Sequence, residues 1–423
     1  MSYICNRANL AAQLPAKSVA VFTANELLPR NGDEFFPFRQ QSDFYYLTGI
    51  DAENAYLIIA PDYPDESLRE ILFIEPFDEV KVTWQGEMLD ARQASEISGI
   101  KTVKDSDAFW MALNDIAFSG YGDTIFLNSY EYPKYECPVE TIQQRFNKQV
   151  KARYPMHPYG RTAPMLNALR MVKSKDEINI TQQACDITAK AFRRCLETVK
   201  PGMYEYEVQA EIEYIFKRNN ASGHAYAPII AGGKNACCLH YSKNQSLLHD
   251  GDLLLFDIGC EYRNYSSDLS RTIPVNGKFT ERQKQCYNAV LRVMKEITKL
   301  YRPGHCINEI NETTHQLMEQ EMIRLGLFTE EDVKNQNPEK PLERNYLMHG
   351  MSHHIGLDVH DSIDKFKPFA PGMILTCEPG IYIREEGIGI RIENDLLITE
   401  NSPINLFEGL PTEIEEIEAA MQR

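Results

Sequence analysis

Gly251-Asp-Leu-Leu-Leu-Phe-Asp257-Ile-Gly259 and Gly372-Met-Ile-Leu-Thr-Cys-Glu378-Pro-Gly380 follow one pattern. In each, a glycine opens an apolar run, an acid follows that glycine by six positions, and a second glycine follows the acid by two. The apolar runs read as buried strands, with Asp257 and Glu378 at their ends. Burying a lone carboxylate costs several kcal/mol, so each acid needs a partner. Two such strands from two copies of one unit suggest a metal site shared between the halves.

Working outward, the copies extend to helices. Ser174-Lys-Asp-Glu177 is a capping box that opens a long helix, with Ile178, Cys185, Ala189, Phe192, Leu196 and Val199 along one face. Lys200-Pro201-Gly202 closes it, and a second helix runs from about Tyr204 to Arg218. Thr280-Glu-Arg-Gln283 is another capping box, its helix closes at Arg302-Pro303-Gly304, and a further helix covers Ile307 to Leu325. Helix, Pro-Gly, helix and strands thus occur twice, the mark of an internal duplication.

The chain before this differs. Val19–Phe22, Tyr45–Leu47, Ala55–Ala60, Ile71–Ile74 and Thr124–Leu127 read as short strands between polar, partly helical stretches. Lys151 to Pro164, rich in Arg, Pro and Gly, reads as a linker. The expected organisation is an α/β (α+β) chain: an N-terminal α/β domain over 1–160, a linker over 161–173 and a duplicated domain over 174–423.

A net charge of −17 argues against nucleic acid as a partner, since phosphate binding needs a basic face. No run approaches the roughly 20 apolar residues of a membrane helix, and Asn6, Arg7, Asn9 and Gln13 interrupt any secretory signal. The ten cysteines, among them Cys137, include no Cys-x-x-Cys pair, so a reducing cytoplasm is the simplest expectation.

The chemistry concentrates around the two acids. His240 lies 17 residues before Asp257, and His360 lies 18 before Glu378. Asp268 follows Asp257 by 11, and Glu393 follows Glu378 by 15. Each half therefore offers a histidine, an acid and a second acid in one order, and each acid pair fits two neighbouring strands. Arg391 shares a strand face with Glu393. His349, His353, His354 and His360 fall within twelve positions, and one of them could join the four carboxylates as a ligand. Such a set suits Mn²⁺, Co²⁺, Fe²⁺ or Zn²⁺. Two cations about 3.5–4 Å apart can hold a hydroxide between them. Taken singly, Asp257 could form a turn, Asp268 could cap one with its neighbouring serines, Glu393 could pair with Arg391, and His240 could be a core or surface histidine. Tyr382 and Trp84 are by default packing aromatics.

His349-Gly-Met-Ser-His353, Gly-Leu-Asp-Val-His360, Glu378-Pro-Gly-Ile-Tyr382 and Gly-Ile-Arg391-Ile-Glu393 resemble the metallopeptidases of the pita-bread fold. Asp257-Ile-Gly-Cys-Glu-Tyr and Asp268-Leu-Ser-Arg-Thr-Ile-Pro-Val-Asn-Gly match as well. More narrowly, residues from about 170 onward resemble the Xaa-Pro aminopeptidase (aminopeptidase P) family, and Phe38-Arg-Gln-Gln-Ser-Asp-Phe-Tyr-Tyr-Leu-Thr-Gly resembles that family's N-terminal domain. The resemblance implies a pita-bread catalytic domain with a pseudo-twofold duplication. It implies Asp257, Asp268, His353, Glu378 and Glu393 as ligands of two divalent ions, Mn²⁺ first, with Asp268 and Glu393 bridging. It puts His240, His349 and His360 in the substrate site, Tyr382 and Arg391 beside it, and in Trp84 an aromatic that reaches a neighbouring subunit's site in tetrameric relatives. His354 departs from the aromatic that relatives carry there.

The implied reaction is hydrolysis of the bond between a first residue and a following proline, by a hydroxide held between two metals. Glu378 would act as general base and then acid, and His240, His349, His360 and Arg391 would assist. Implied partners are peptides with proline second, in a homodimer or homotetramer. A dipeptide-specific prolidase on the same scaffold is the nearest rival. A creatinase-like hydrolase lacks the metal set, a methionine aminopeptidase lacks the large first domain, and an inactive peptide-binding protein would have lost ligands.

Overall fold

The computed structural model describes residues 3–132, 139–361 and 364–422; Cys137 lies outside them. The chain divides into two compact units, Met1–Arg170 and Met171–Arg423.

The first unit is built on a mixed six-stranded sheet, in the order Thr102–Asp105, Glu70–Ile74, Tyr56–Ile59, Ser18–Thr23, Thr124–Leu127 and Tyr159–Arg161. The apolar strand residues Val19, Val21, Ile58, Phe73 and Ile125 are buried in a core with Phe109, Leu113, Phe146 and Val150 of the covering helices. Two readings fail here. Tyr45-Tyr46-Leu47 is not a strand but the middle of the helix Ser42–Thr48. Three apolar residues in a row carry no period, and the caps decide: the Gln41 side chain accepts from Phe44 N at 2.7 Å, and Gly49 ends the helix at φ 70°. Nor is the stretch 151–164 a linker. The helix Ile142–Arg153 ends in it, Tyr159–Arg161 pairs in parallel with Thr124–Leu127, and the helix Ala163–Met171 occupies most of 161–173. Pro164 stands in the first turn of that helix, where a missing N–H costs nothing.

The second unit repeats itself. The capping boxes at Ser174 and Thr280 form, each with reciprocal side-chain and backbone bonds. They open the helices Lys175–Thr198 and Glu281–Thr298, followed by Glu205–Arg218 and Ile307–Arg324. After the first pair comes the antiparallel sheet Ile229–Gly232, Leu253–Ile258, Leu269–Pro274; after the second comes Ile374–Cys377, Asn394–Leu397, Ile404–Asn405. A small hairpin interrupts each sheet. It is Cys260–Tyr262 with Tyr265–Ser266 in the first half, and Gly380–Ile383 with Ile388–Arg391 in the second.

This repetition places the acids. Asp257 stands near the end of an outgoing strand, and Asp268 directly precedes the returning one. Glu378 directly follows its outgoing strand, and Glu393 directly precedes the returning one. Gly259 is needed at the first junction, because a Cβ there would lie 1.8 Å from Ser267 O.

Candidate active site

The junctions of both halves open on one cavity of about 370 Å³. Asp257, Asp268, His353, Glu378, Glu393, His240, His349, His360 and Arg391 all line it, joined by Tyr226, Leu239 and Ser242. Tyr382 is buried beside it, and Trp84 belongs to the other unit, on the helix Glu79–Gln85, where it is 82% exposed.

The donor atoms converge. One ligand atom each from Asp268, His353 and Glu393 lie within 4.8 Å of one another. His353 Nε2 is 3.5 Å from Asp268 Oδ2 and 3.6 Å from Glu378 Oε1. Its Nδ1 is 3.1 Å from the carbonyl of His354, which can only accept, so Nδ1 carries a proton and Nε2 is the nitrogen turned to the acids. His353 N donates to Thr376 Oγ1, and Thr376 Oγ1 donates to Glu378 Oε1 at 3.3 Å.

Asp257 is held differently. Tyr226 Oη lies 2.6 Å from both Asp257 Oδ1 and Asp268 Oδ1, so one hydroxyl joins the two first-half acids. Arg391 Nη2 donates to Asp257 Oδ2 at 2.5 Å and Nη1 to Tyr382 Oη at 2.7 Å. Arg391 Nε donates to Ser270 Oγ, which donates to Glu393 Oε2 at 2.7 Å. Tyr382 Oη is 2.8 Å from His349 Nε2, and His349 Nδ1 is 2.7 Å from Gly350 O. The carbonyl makes Nδ1 the donor, so Tyr382 donates to Nε2 and the chain runs one way, from Arg391 through Tyr382 to His349. Burial, with Arg391 nearby, lowers His349 to about 4, and it is neutral at pH 7. The rings of His353 and His360 meet edge to face at 4.3 Å.

The donor set calls for cations. Asp268 and Glu393 are buried; burial, then the charge of Asp257 on Asp268 and of Asp268 on Glu393, pushes both carboxyls well above the usual range. Burial raises Glu378 as well, against the pull of His353 and Arg391. Four carboxylates face one cavity in which Arg391 is the only lysine or arginine among the described lining residues. Divalent cations balance that excess, and four carboxylates with one imidazole suit hard or borderline ions, so the residues fit the group.

The sequence reading missed Tyr226 and Ser270. Neither stands at a repeated spacing, and a lone Tyr or Ser carries no signal of its own. Asp395 was also missed. It is buried, its Oδ2 accepts from Asp268 N at 3.0 Å and from Cys185 Sγ, and burial raises its carboxyl to about 7.

Residues 179–400 match the family model for metallopeptidase family M24, and residues 3–126 match that for the aminopeptidase P N-terminal domain. The chain is 34% identical to the Xaa-Pro aminopeptidase of Escherichia coli, over 98% of this chain and 96% of that one. It is 35% identical to the Xaa-Pro aminopeptidase of Haemophilus influenzae, over 98% and 96%. The structure of proline aminopeptidase P II from Yersinia pestis superposes with a TM-score of 0.87 at 33% identity, covering 99% of this chain and 98% of that one. Zn-substituted E. coli aminopeptidase P in complex with product superposes with a TM-score of 0.87 at 32% identity, covering 99% and 97%.

Proposed function

The chain belongs to metallopeptidase family M24, among its Xaa-Pro aminopeptidases, and from that premise we propose how its own residues carry out the reaction. It is a metal-dependent hydrolase that removes an N-terminal residue from a following proline. The observation that carries the reading is the convergence of Asp257, Asp268, His353, Glu378 and Glu393 on one cavity ringed by His240, His349 and His360.

Those five side chains would hold two divalent cations, Mn²⁺ first, whose Lewis acidity lowers the pKa of a water molecule at the site. Glu378 would take up the proton of the attacking water and deliver it to the prolyl nitrogen as the bond breaks. Its burial, which raises the carboxyl, suits a group that holds a proton for part of the cycle. His360, against the face of His353, would donate to the oxygen of the tetrahedral intermediate. His349, neutral and held by Tyr382 at Nε2 and by Gly350 O at Nδ1, would wall the substrate side of the site beside Glu378, whose Oε2 is 3.7 Å from Nδ1. His240 would donate to the peptide backbone. The substrate's free amine would lie next to Asp257, whose position Arg391 and Tyr226 set. A prolyl nitrogen carries no hydrogen, so the pocket need not supply an acceptor for one.

Peptides with proline second are the substrates of this reading. No helix of the described residues is long and apolar enough to cross a membrane, which is compatible with a cytoplasmic enzyme. A homodimer or homotetramer, with exposed Trp84 at a subunit contact, completes the proposal.

The test uses metal-reconstituted protein and a matched pair of substrates. The reading expects release of the first residue from a free-amine Xaa-Pro-Xaa tripeptide and much slower turnover of Xaa-Ala-Xaa. Preference for the dipeptide Xaa-Pro would instead make the enzyme a prolidase.

A further inference from the structure

Glu205 opens the helix Glu205–Arg218 and is wholly buried. Its two carboxylate oxygens accept four hydrogen bonds, all from the segment 232–246. Oε1 accepts from Gly232 N at 2.8 Å and Asn235 Nδ2 at 2.9 Å. Oε2 accepts from Tyr241 Oη at 2.7 Å and Ser246 N at 2.8 Å. Backbone bonds add to this: Glu205 N donates to Ser246 O at 3.0 Å. Asn235 Nδ2 also reaches Ser246 Oγ at 2.9 Å, which ties the two ends of the loop to each other.

The loop so gathered carries His240. Its near end is Gly232, last residue of the strand Ile229–Gly232, whose Ile229 pairs with Asp257. Its tip places Leu239, His240 and Ser242 on the active-site cavity, with His240 exposed to it. A carboxylate in a dry setting binds N–H and O–H donors more strongly than a neutral acceptor does. It also fixes four of them at once, and the residue next to His240 is one of the four.

We infer that Glu205 is a positioning residue for catalysis: its buried carboxylate, through Tyr241, sets the loop that presents His240 to the substrate. The inference rests on the role of His240 given above. Glu205 touches neither substrate nor metal in this account; it acts through its neighbour. An amide cannot replace it, because the NH₂ of a glutamine would point at two donors and break half of the arrangement.

The test is a double-mutant cycle on the full, metal-reconstituted chain, with kcat and KM measured on an Xaa-Pro-Xaa tripeptide. Variants are Glu205→Gln, the milder Tyr241→Phe, His240→Ala and the two combinations with His240→Ala. Tyr241→Phe removes one hydroxyl and leaves the other three bonds to Glu205, so it serves where Glu205→Gln fails to fold. With His240 present, each change should lower kcat/KM by roughly tenfold or more, divided between kcat and KM as His240→Ala divides it. With His240 absent, the same changes should cost less than about twofold. An equal loss in both backgrounds would overturn the inference, since Glu205 would then act on the fold and not on His240. The two failures are distinct. Full activity of His240→Ala removes His240 from the reaction and the inference with it, whereas an impaired His240→Ala beside fully active Tyr241→Phe and Glu205→Gln removes Glu205 alone.

Discussion

Arg391 and Asp257 come from opposite halves of the duplicated unit, 134 residues apart, and meet with Nη2 on Oδ2 at 2.5 Å. The guanidinium spends its other nitrogens on Tyr382 and Ser270, and through Ser270 it reaches Glu393. A single cation therefore orients one acid from each half, and the halves cannot shift against each other without breaking it. Arg391→Met should keep the donor atoms but loosen two of them. Partners of this kind typically carry about 10–100-fold in metal affinity or rate. Metal titration followed by steady-state kinetics should show a loss of that size; wild-type affinity and rate would remove Arg391 from the site's support.

Tyr226 joins Asp257 and Asp268 with one hydroxyl. Tyr226→Phe keeps the ring and deletes only that bond. Metal should then be lost to a competing chelator at about tenfold lower chelator concentration. Thermal unfolding of the metal-free protein should also come earlier, because Asp257 and buried Asp268 lose a donor inside the fold, at a cost of about 1–3 kcal/mol. A chelator curve that overlays the wild type contradicts the assignment.

Glu378→Gln separates proton transfer from packing. The amide keeps the size and the bond from Thr376 but holds no transferable proton. General acid–base catalysis is worth about 10²–10⁴-fold, and kcat on the tripeptide should fall by that order. A kcat within about threefold of wild type would take Glu378 out of the proton path.

Stability is tested away from the donors. Lys173 Nζ and Asp361 Oδ2 pair at 3.0 Å with side chains 1% and 2% exposed. Lys173→Met takes the ammonium of this buried ion pair away from Asp361, at a cost of about 3–5 kcal/mol. Adding Asp361→Leu should recover most of that loss, since an apolar pair of similar volume often replaces a buried ion pair without penalty. Urea denaturation of the metal-free protein checks both; a single mutant as stable as wild type refutes the cost.

The parts of this site that the sequence revealed are those that duplication writes twice. The Gly, apolar run and acid recur because each half needs a buried strand that ends at the cavity, and the capping boxes at Ser174 and Thr280 mark where each half begins. Tyr226, Ser270 and Glu205 stayed hidden because each works through one hydroxyl or one carboxylate aimed by tertiary structure, and no spacing encodes that aim. Tyr45–Leu47 was misread because three apolar residues fit a strand and a helix equally, and only the Gln41 cap and Gly49 stop decide. The Pro- and Gly-rich stretch 151–164 looked like a linker for a related reason. Pro155, Pro158 and Gly160 fit an edge strand and its turns as well as they fit a tether, and pairing with Thr124–Leu127 chose the strand.

The central claim is that Asp257, Asp268, His353, Glu378 and Glu393 gather divalent cations. Anomalous diffraction from crystals of the Mn²⁺-loaded protein tests it directly. The account predicts two anomalous peaks about 3.5–4 Å apart, each roughly 2.0–2.3 Å from oxygens of these carboxylates, with His353 Nε2 on one of them. Crystals that take up Mn²⁺ elsewhere and show no peak among these five side chains would contradict it.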